Sequence, residues 1–131
     1  MMCGMTCESA RTSILLIDDE RVFADTLAKR LSVRGIDCAV AYDGRAGLAL
    51  VKSKTFTGVI LDLRLPDLDG CEVLRRIMGL HPDLPVAIVT GHGTDDDRRE
   101  CMKDGAMAFL HKPVDLTRLV RLFTSNGPVE P

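Results

Sequence analysis

Acidic, hydroxyl and amino side chains follow four of the short aliphatic runs in this sequence. Asp18 and Asp19 come directly after the run SILLI, and Asp62 comes directly after GVIL. Thr90 closes the run LPVAIVT, and Lys112 is the second residue after the run AMAFL. Short aliphatic runs bounded by turn residues are typical of buried strands. If these strands lie parallel in one sheet, their carboxyl ends share an edge and the five side chains meet there.

Such a cluster has the groups that phosphoryl transfer requires. Three neighbouring carboxylates cannot all ionise comfortably unless a cation joins them. Oxygen ligands favour a hard ion, and a few carboxylates completed by water suit Mg²⁺ better than Ca²⁺. Lys112 adds a positive charge that can pair with a carboxylate or an anionic ligand, and Thr90 adds a hydroxyl donor. These groups indicate transfer of a phosphoryl group to a carboxylate nucleophile.

Longer amphipathic segments separate the aliphatic runs. The first of them places Phe23, Leu27 and Leu31 at helical spacing and ends before Gly35. Strands that alternate with helices favour parallel pairing, with helices covering both faces of the sheet. We therefore predict a small doubly wound α/β domain with a five-stranded parallel sheet. In the fourth of the predicted helices only Cys101 and Met102 are clearly apolar, which predicts few buried contacts.

Length and composition indicate one globular domain without a strong charge bias. The chain has 131 residues, 46% of them hydrophobic, and a formal net charge of -2. This charge gives no general reason to expect binding to nucleic acid or to a membrane. The first residues lack the basic and then apolar stretch of a secretory signal, so we predict a cytoplasmic location. We predict a flexible tail over residues 1–11, a domain over 12–124, and a tail or linker start over 125–131.

The five cysteines do not form the pattern of a disulfide framework. Their number is odd and their spacing is irregular: Cys3, Cys7, Cys38, Cys71 and Cys101. The first two could hold a metal, but no second pair of cysteine or histidine residues follows at zinc spacing. The other three are predicted to be small residues in or near the core.

Four stretches of the sequence together resemble a response-regulator receiver domain, the phosphate-accepting part of two-component signalling. They are ILLIDDE, VILDLRLPDLDG, PVAIVTGHG and GAMAFLHKP. The resemblance extends from Ser13 to about Phe123. It implies a flavodoxin-like fold, with strand order 2-1-3-4-5 and five helices.

The resemblance also implies roles for the acidic residues. Asp62 matches the phosphorylated aspartate of the family. Asp19 matches the acid that binds Mg²⁺ directly, and Asp18 matches the one that acts through water. The backbone carbonyl of Arg64 matches a further metal ligand.

The remaining implied roles concern the response to phosphorylation. Thr90 matches the hydroxyl that moves toward the phosphoryl group, and Lys112 matches the lysine that pairs with it. The bond between Lys112 and Pro113 is expected to be cis. Phe109 occupies the position of the switch aromatic, where the family commonly has tyrosine.

The implied function is that of a signalling switch and not of an enzyme with a free substrate. A sensor histidine kinase or a phosphotransfer protein would donate the phosphoryl group from a phosphohistidine to Asp62, with Mg²⁺ as cofactor. The expected consequence is altered binding of an output domain, or of a second copy in a homodimer, through the face formed by the fourth helix, fifth strand and fifth helix. No direct contact with nucleic acid or membrane is expected.

Two other interpretations remain open from the sequence. One is a metal-dependent phosphatase-like hydrolase with an aspartyl nucleophile. Such enzymes usually have a second Asp two residues after the nucleophile, and Arg64 stands there instead. The other is a degenerate receiver that binds partners without phosphorylation, which the presence of all the acids and Lys112 disfavours.

Overall fold

The computed structural model describes residues 12–124. The predicted tails at 1–11 and 125–131, with Cys3 and Cys7, lie outside the described residues. Within residues 12–124, no helix combines the length and the apolar character that crossing a bilayer demands.

Five strands alternate with five helices along the described chain. The strands are Ser13–Ile17 (β1), Asp37–Ala41 (β2), Gly58–Leu61 (β3), Val86–Thr90 (β4) and Ala108–His111 (β5). The helices are Arg21–Val33 (α1), Gly44–Ser53 (α2), Gly70–Leu80 (α3), Asp95–Lys103 (α4) and Leu116–Thr124 (α5).

The strands form one sheet in the order β2-β1-β3-β4-β5, and every neighbouring pair is parallel. Both the order and the α/β class confirm the sequence prediction. The chain runs outward from β1 to β2 and then crosses to β3 on the other side of β1. The carboxyl ends of β1 and β3 therefore border the point where the winding reverses, where open α/β sheets bind their ligands.

Alternate residues of each strand pack on opposite faces of the sheet. On one face, Leu16 packs in a core with Leu27 of α1 and Leu119 of α5. On the other face, Ile17 packs in a core with residues of α2, α3 and α4, including Leu74. The predicted stripe on α1 is confirmed for its leucines, which are buried. The helix ends at Val33, two residues before Gly35, whose φ of +82° favours glycine.

Helix α4 is attached to the domain by few apolar contacts. Thr94 and Asp97 form a capping box at its amino end. Cys101 is the one buried residue in α4, which lies wholly within the described residues. Met102 is 40% exposed, so the thin apolar face predicted for this helix is confirmed.

Candidate functional site

The carboxyl ends of β1, β3 and β5 place three charged side chains in contact. The ammonium Nζ of Lys112 lies 2.9 Å from Oδ2 of Asp18 and 3.1 Å from Oδ2 of Asp62. It also contacts the carboxylate of Glu20. Asp18 is 1% exposed and Asp62 is 4% exposed, so the two carboxylates are buried against one lysine.

Backbone hydrogen bonds fix the residues that follow the strands. The N–H of Asp18 donates to the carbonyl of Ala41, and the N–H of Asp62 donates to the carbonyl of Ile17, each at 3.0 Å. The N–H of Lys112 donates to the carbonyl of Thr90 at 3.0 Å. The sheet hydrogen bonding thus continues into the site, which gives the reactive groups a rigid support.

Three acids at this edge form a group that could hold a metal ion. One carboxylate oxygen from each of Asp18, Glu20 and Asp62 lies within 4.8 Å of the others. Oxygen donors at this separation fit a hard divalent cation. Lys112 now supplies the positive charge that keeps these carboxylates together.

Burial shifts the protonation of this group. Burial raises the pKa of Asp18 to about 6, although the N–H of Glu20 and the ammonium of Lys112 both favour its charged form. Burial by itself would lower the pKa of Lys112, but hydrogen bonds to Glu20 and Asp18 outweigh it and raise that pKa. Lys112 therefore stays protonated, while Asp18 is charged at a cost that a bound cation would offset.

Thr90 and Phe109 both lie against Gly93 in the loop after β4. Thr90 is fully buried, and its Oγ1 accepts a hydrogen bond from the N–H of His92 at 3.3 Å. Phe109 is 8% exposed, so its ring points inward. A β-carbon at Gly93 would lie 2.9 Å from both Cε1 of Phe109 and Cγ2 of Thr90. The loop after β4 therefore closes tightly over both side chains.

A second close approach shapes the loop between β3 and α3. A β-carbon at Gly70 would lie 2.7 Å from the carbonyl oxygen of Asp62 and would overlap the backbone of Leu63. Only glycine allows the start of α3 to pack this closely beneath the candidate acceptor. Asp67 of the same loop accepts hydrogen bonds from the N–H groups of Gly44 and Arg45, at 2.8 and 2.9 Å. The loop is thereby anchored to the amino end of α2.

The structure brings most of the predicted site residues to one place. Asp18, Asp62 and Lys112 are in contact, and the Lys112–Pro113 bond is cis as expected. Asp19 instead has an exposed side chain. Arg64 directs its N–H toward Oδ1 of Asp62 at 3.4 Å, and this contact does not test the role predicted for its carbonyl.

Two contacts of the site were not assigned from the sequence. Glu20 contacts Lys112 and belongs to the acidic group; the signal was the third acid in the motif IDDE. The ring centre of Phe23 lies 4.3 Å from Nζ of Lys112, a cation–π contact. Helical spacing had indicated a core role for Phe23.

The family described as the response regulator receiver domain matches residues 14–124 of this chain. The chain belongs to the response-regulator receiver domains. The match covers all five strands and all five helices of the domain except the first residue of β1. As a receiver domain of two-component response regulators, it is a signalling domain, and the hydrolase interpretation is not favoured.

Relatives of this receiver domain include transcriptional regulators. It is 38% identical over 117 residues to the C4-dicarboxylate transport transcriptional regulatory protein DctD of Rhizobium meliloti (strain 1021), covering 86% of this chain and 25% of that protein. It is 38% identical over 106 residues to the transcriptional regulatory protein QseB of Haemophilus influenzae, covering 81% and 48%. The chain therefore spans between a quarter and a half of the length of these relatives.

Solved structures of receiver domains have the same fold. A CheY-like receiver domain protein from Methanospirillum hungatei JF-1 superposes with a TM-score of 0.82 at 28% identity, covering 86% of this chain and 90% of that one. A response regulator from Burkholderia pseudomallei, solved with a phosphorylated aspartic acid, a calcium ion and citrate, gives 0.82 at 30% identity, covering 88% and 68%.

Proposed function

We propose that this receiver domain accepts a phosphoryl group on Asp62 from the phosphohistidine of a sensor histidine kinase or a phosphotransfer protein. The observation that supports this most is the contact of Lys112 with the buried Asp18 and Asp62 at one edge of the sheet. The phosphorylated aspartic acid of the Burkholderia pseudomallei relative agrees with it. The relatives that are transcriptional regulators favour a cytoplasmic place of action and an output domain as partner.

In the transfer step, an Oδ atom of Asp62 attacks phosphorus while the bond to the donor histidine nitrogen breaks. The histidine takes up a proton from water, and Asp62 becomes an acyl phosphate. Mg²⁺, held by the proposed ligands Asp18, Asp19, Asp62 and the carbonyl of Arg64, would neutralise charge on the phosphoryl oxygens. Hydrolysis of the acyl phosphate by water returns Asp62 to its carboxylate and resets the domain.

Phosphorylation would then alter the packing behind the site. Lys112 can turn its ammonium from the Asp62 carboxylate to a phosphoryl oxygen, and Thr90 can donate its hydroxyl to another. Since Gly93 packs against both Thr90 and Phe109, a movement of Thr90 displaces the loop before α4. We propose that this changes the α4-β5-α5 face, to which an output domain or second copy binds. An almost complete shift of such a switch requires about 5.5 kcal/mol of differential binding.

The proposed function can be tested with a small acyl phosphate in place of the kinase. We expect the chain to incorporate one phosphoryl group when Mg²⁺ is present, measured by intact mass. Chelation of Mg²⁺ should prevent the incorporation, and readdition should restore it. A chain that remains unmodified with Mg²⁺, or is modified equally without it, would contradict the proposal.

We expect substitutions of Asp19 and Glu20 to weaken Mg²⁺ binding to different extents. Among the described residues, the side chain of Asp19 has no hydrogen-bonding or ionic partner, so it is free to turn toward an incoming ion. The Glu20 carboxylate is instead engaged by Lys112. We therefore expect Asp19→Asn to weaken Mg²⁺ binding at least tenfold, about the loss of one charged ligand, and Glu20→Gln to weaken it less.

Calorimetric titration of the two variants with Mg²⁺ shows which of the two acids binds the ion. Both substitutions remove one negative charge and keep the shape of the side chain, so each is the control for the other. A larger loss of affinity in Glu20→Gln would assign the ion to the observed cluster of Asp18, Glu20 and Asp62 and would remove Asp19 from the ligand set.

We propose that the phosphohistidine donor docks on the amino end of α1. An apolar groove of about 310 Å³ lies there, lined by Val22 and Phe23 of α1 and by Pro113 and Leu116 beyond β5. Val22 is 82% exposed, and Phe23 contacts Lys112 of the acceptor pocket. A donor seated in this groove brings its histidine to the edge of the sheet that carries the acceptor.

Val22→Asn is expected to slow phosphoryl transfer from a histidine kinase about tenfold, the effect of leaving one valine side chain unburied in the complex. The rate with a small acyl phosphate should not change, because that donor does not need the groove. Val33→Asn is the matched control: Val33 is 83% exposed at the other end of α1. Equal losses in both variants, or a loss with the small donor, would contradict docking at this groove.

A further inference from the structure

Two buried thiols face each other between α3 and α4. Sγ of Cys71 lies 4.0 Å from Sγ of Cys101, and both are free thiols. Cys71 is in the first turn of α3, and Cys101 is in the last turn of α4. A disulfide has its sulfurs at about 2.05 Å, so an approach of about 2 Å would join the two helices covalently.

This thiol pair lies where α4 is attached to the domain. Cys101 is the one buried side chain of α4, whose residues are all described. The ion pairs of Arg75 with Glu100 at 3.7 Å and with Asp104 at 3.3 Å are partly exposed, and such pairs contribute little. A covalent bond at Cys101 would therefore replace a weak attachment by a fixed one.

A polar cavity gives small molecules a route to one of the two thiols. It has a volume of about 480 Å³ and lies between the β3–α3 loop and α4. Cys71 lines this cavity together with His92 and Glu100, and Cys101 does not. Cys71 is 8% exposed, whereas Cys101 is fully buried behind it. A small oxidant thus reaches Cys71 first, with Cys101 in place to react next.

We propose that Cys71 and Cys101 form a reversible redox site at which a hydroperoxide produces a disulfide that holds α4 against α3. The Cys71 thiolate attacks one peroxide oxygen, the O–O bond breaks, and an alcohol or water leaves with a proton. The resulting sulfenic acid of Cys71 is attacked by the thiolate of Cys101. The S–S bond forms, the S–O bond breaks, and water leaves. Two thiols and one hydroperoxide become one disulfide, one alcohol or water, and one water.

The burial of the two thiols affects the rate of this reaction. Burial raises the pKa of both, that of Cys101 to about 12. Because the thiolate is the nucleophile, we expect the pair to react slowly with a hydroperoxide. A dithiol reductant reverses the bond, as expected for a regulatory disulfide in a reducing compartment.

The consequence for signalling rests on the proposed function. If phosphorylation at Asp62 acts by moving the loop before α4, a disulfide at Cys101 opposes the movement of α4 and leaves the contacts of Asp18, Asp62 and Lys112 in place. The oxidised domain would accept a phosphoryl group and fail to alter its α4-β5-α5 face. Oxidation would thus uncouple phosphorylation from output.

The experiment treats the folded full chain with hydrogen peroxide, alkylates the remaining thiols, and maps the digested peptides by mass spectrometry. We expect linked peptides carrying Cys71 and Cys101, two hydrogen atoms lighter than the reduced pair, and reversal by dithiothreitol. Cys38→Ala should keep the link and Cys71→Ala should lose it. The proposal is overturned if Cys71 and Cys101 are both still alkylated after Cys38 has been oxidised. It is also overturned if Cys71 becomes sulfinic acid and no disulfide to Cys101 forms.

Amide hydrogen exchange then tests the effect on α4. We expect exchange in α4 to slow about tenfold in the oxidised chain, because local opening now requires the bond to strain or break. Unchanged exchange would overturn the proposed restraint. A small acyl phosphate should label oxidised and reduced chains equally; absence of labelling in both would contradict the proposed function and leave the disulfide result intact.

Discussion

Asp62→Asn is expected to reduce phosphoryl incorporation from a small acyl phosphate to the background level of nonspecific labelling. Asparagine keeps the size of the side chain and its hydrogen-bonding oxygen, but its amide cannot attack phosphorus and form an acyl phosphate. Asp62 is buried beside Lys112, where a substitution of the same shape preserves the packing. The variant should therefore lose the phosphorylation reaction and keep its fold. Intact mass after incubation with the acyl phosphate and Mg²⁺ measures the loss of incorporation directly.

Asp83→Asn is the matched control for this variant. Asp83 is exposed in the loop between α3 and β4, at the amino-terminal edge of the sheet and away from the acceptor pocket. The Asp83→Asn chain should be phosphorylated at the same rate as the unaltered chain. Labelling of Asp62→Asn at that same rate would show that the phosphoryl group is carried elsewhere.

Asp18→Asn is expected to weaken Mg²⁺ binding and at the same time to stabilise the metal-free domain. Burial raises the pKa of Asp18 from 3.8 to about 6 in the folded chain, so its charged form is destabilising there. Lys112 keeps two carboxylate partners in the variant, Asp62 and Glu20. Removing the ionisable group should raise the free energy of unfolding by about 3 kcal/mol at neutral pH.

The pH dependence of this gain has a defined sign. A raised pKa means that the folded chain binds the proton more tightly than the unfolded chain, so this group reduces stability as pH rises from about 4 to about 6. The advantage of Asp18→Asn should be absent near pH 4 and complete above about pH 7. Urea unfolding with a chelator, repeated across this range, measures it. A variant less stable than the unaltered chain at neutral pH would show that the Asp18 charge is net favourable.

Much of the fold could be predicted from the hydrophobic pattern of the sequence. The aliphatic run ending before Asp18 and the one ending before Asp62 became adjacent parallel strands, since buried strands of an α/β sheet lack a polar face. The cluster of Asp18, Asp62 and Lys112 followed from parallel pairing alone, because the carboxyl ends of parallel strands lie at one edge of the sheet. The order itself came from the family resemblance, since periodicity does not say which strands are neighbours.

Other features depend on side-chain geometry that no spacing encodes. That Glu20 contacts Lys112 while Asp19 is exposed depends on side-chain orientation in the residues before α1. The inward position of Phe109 depends on the absence of a side chain at Gly93, across the β4–α4 loop. The contact of Cys71 with Cys101 joins residues 30 positions apart, and each alone predicted only a small core residue.

The most direct test is a crystal structure of the chain grown with Mg²⁺ and a fluoroberyllate analogue of the phosphoryl group. We predict beryllium bonded to an Oδ atom of Asp62, the metal held among the acids that follow β1 and β3, and Lys112 turned to a fluorine of the analogue. An analogue bonded to another residue, or a metal bound away from Asp18 and Asp62, would contradict a magnesium-dependent acceptor pocket at this edge of the sheet.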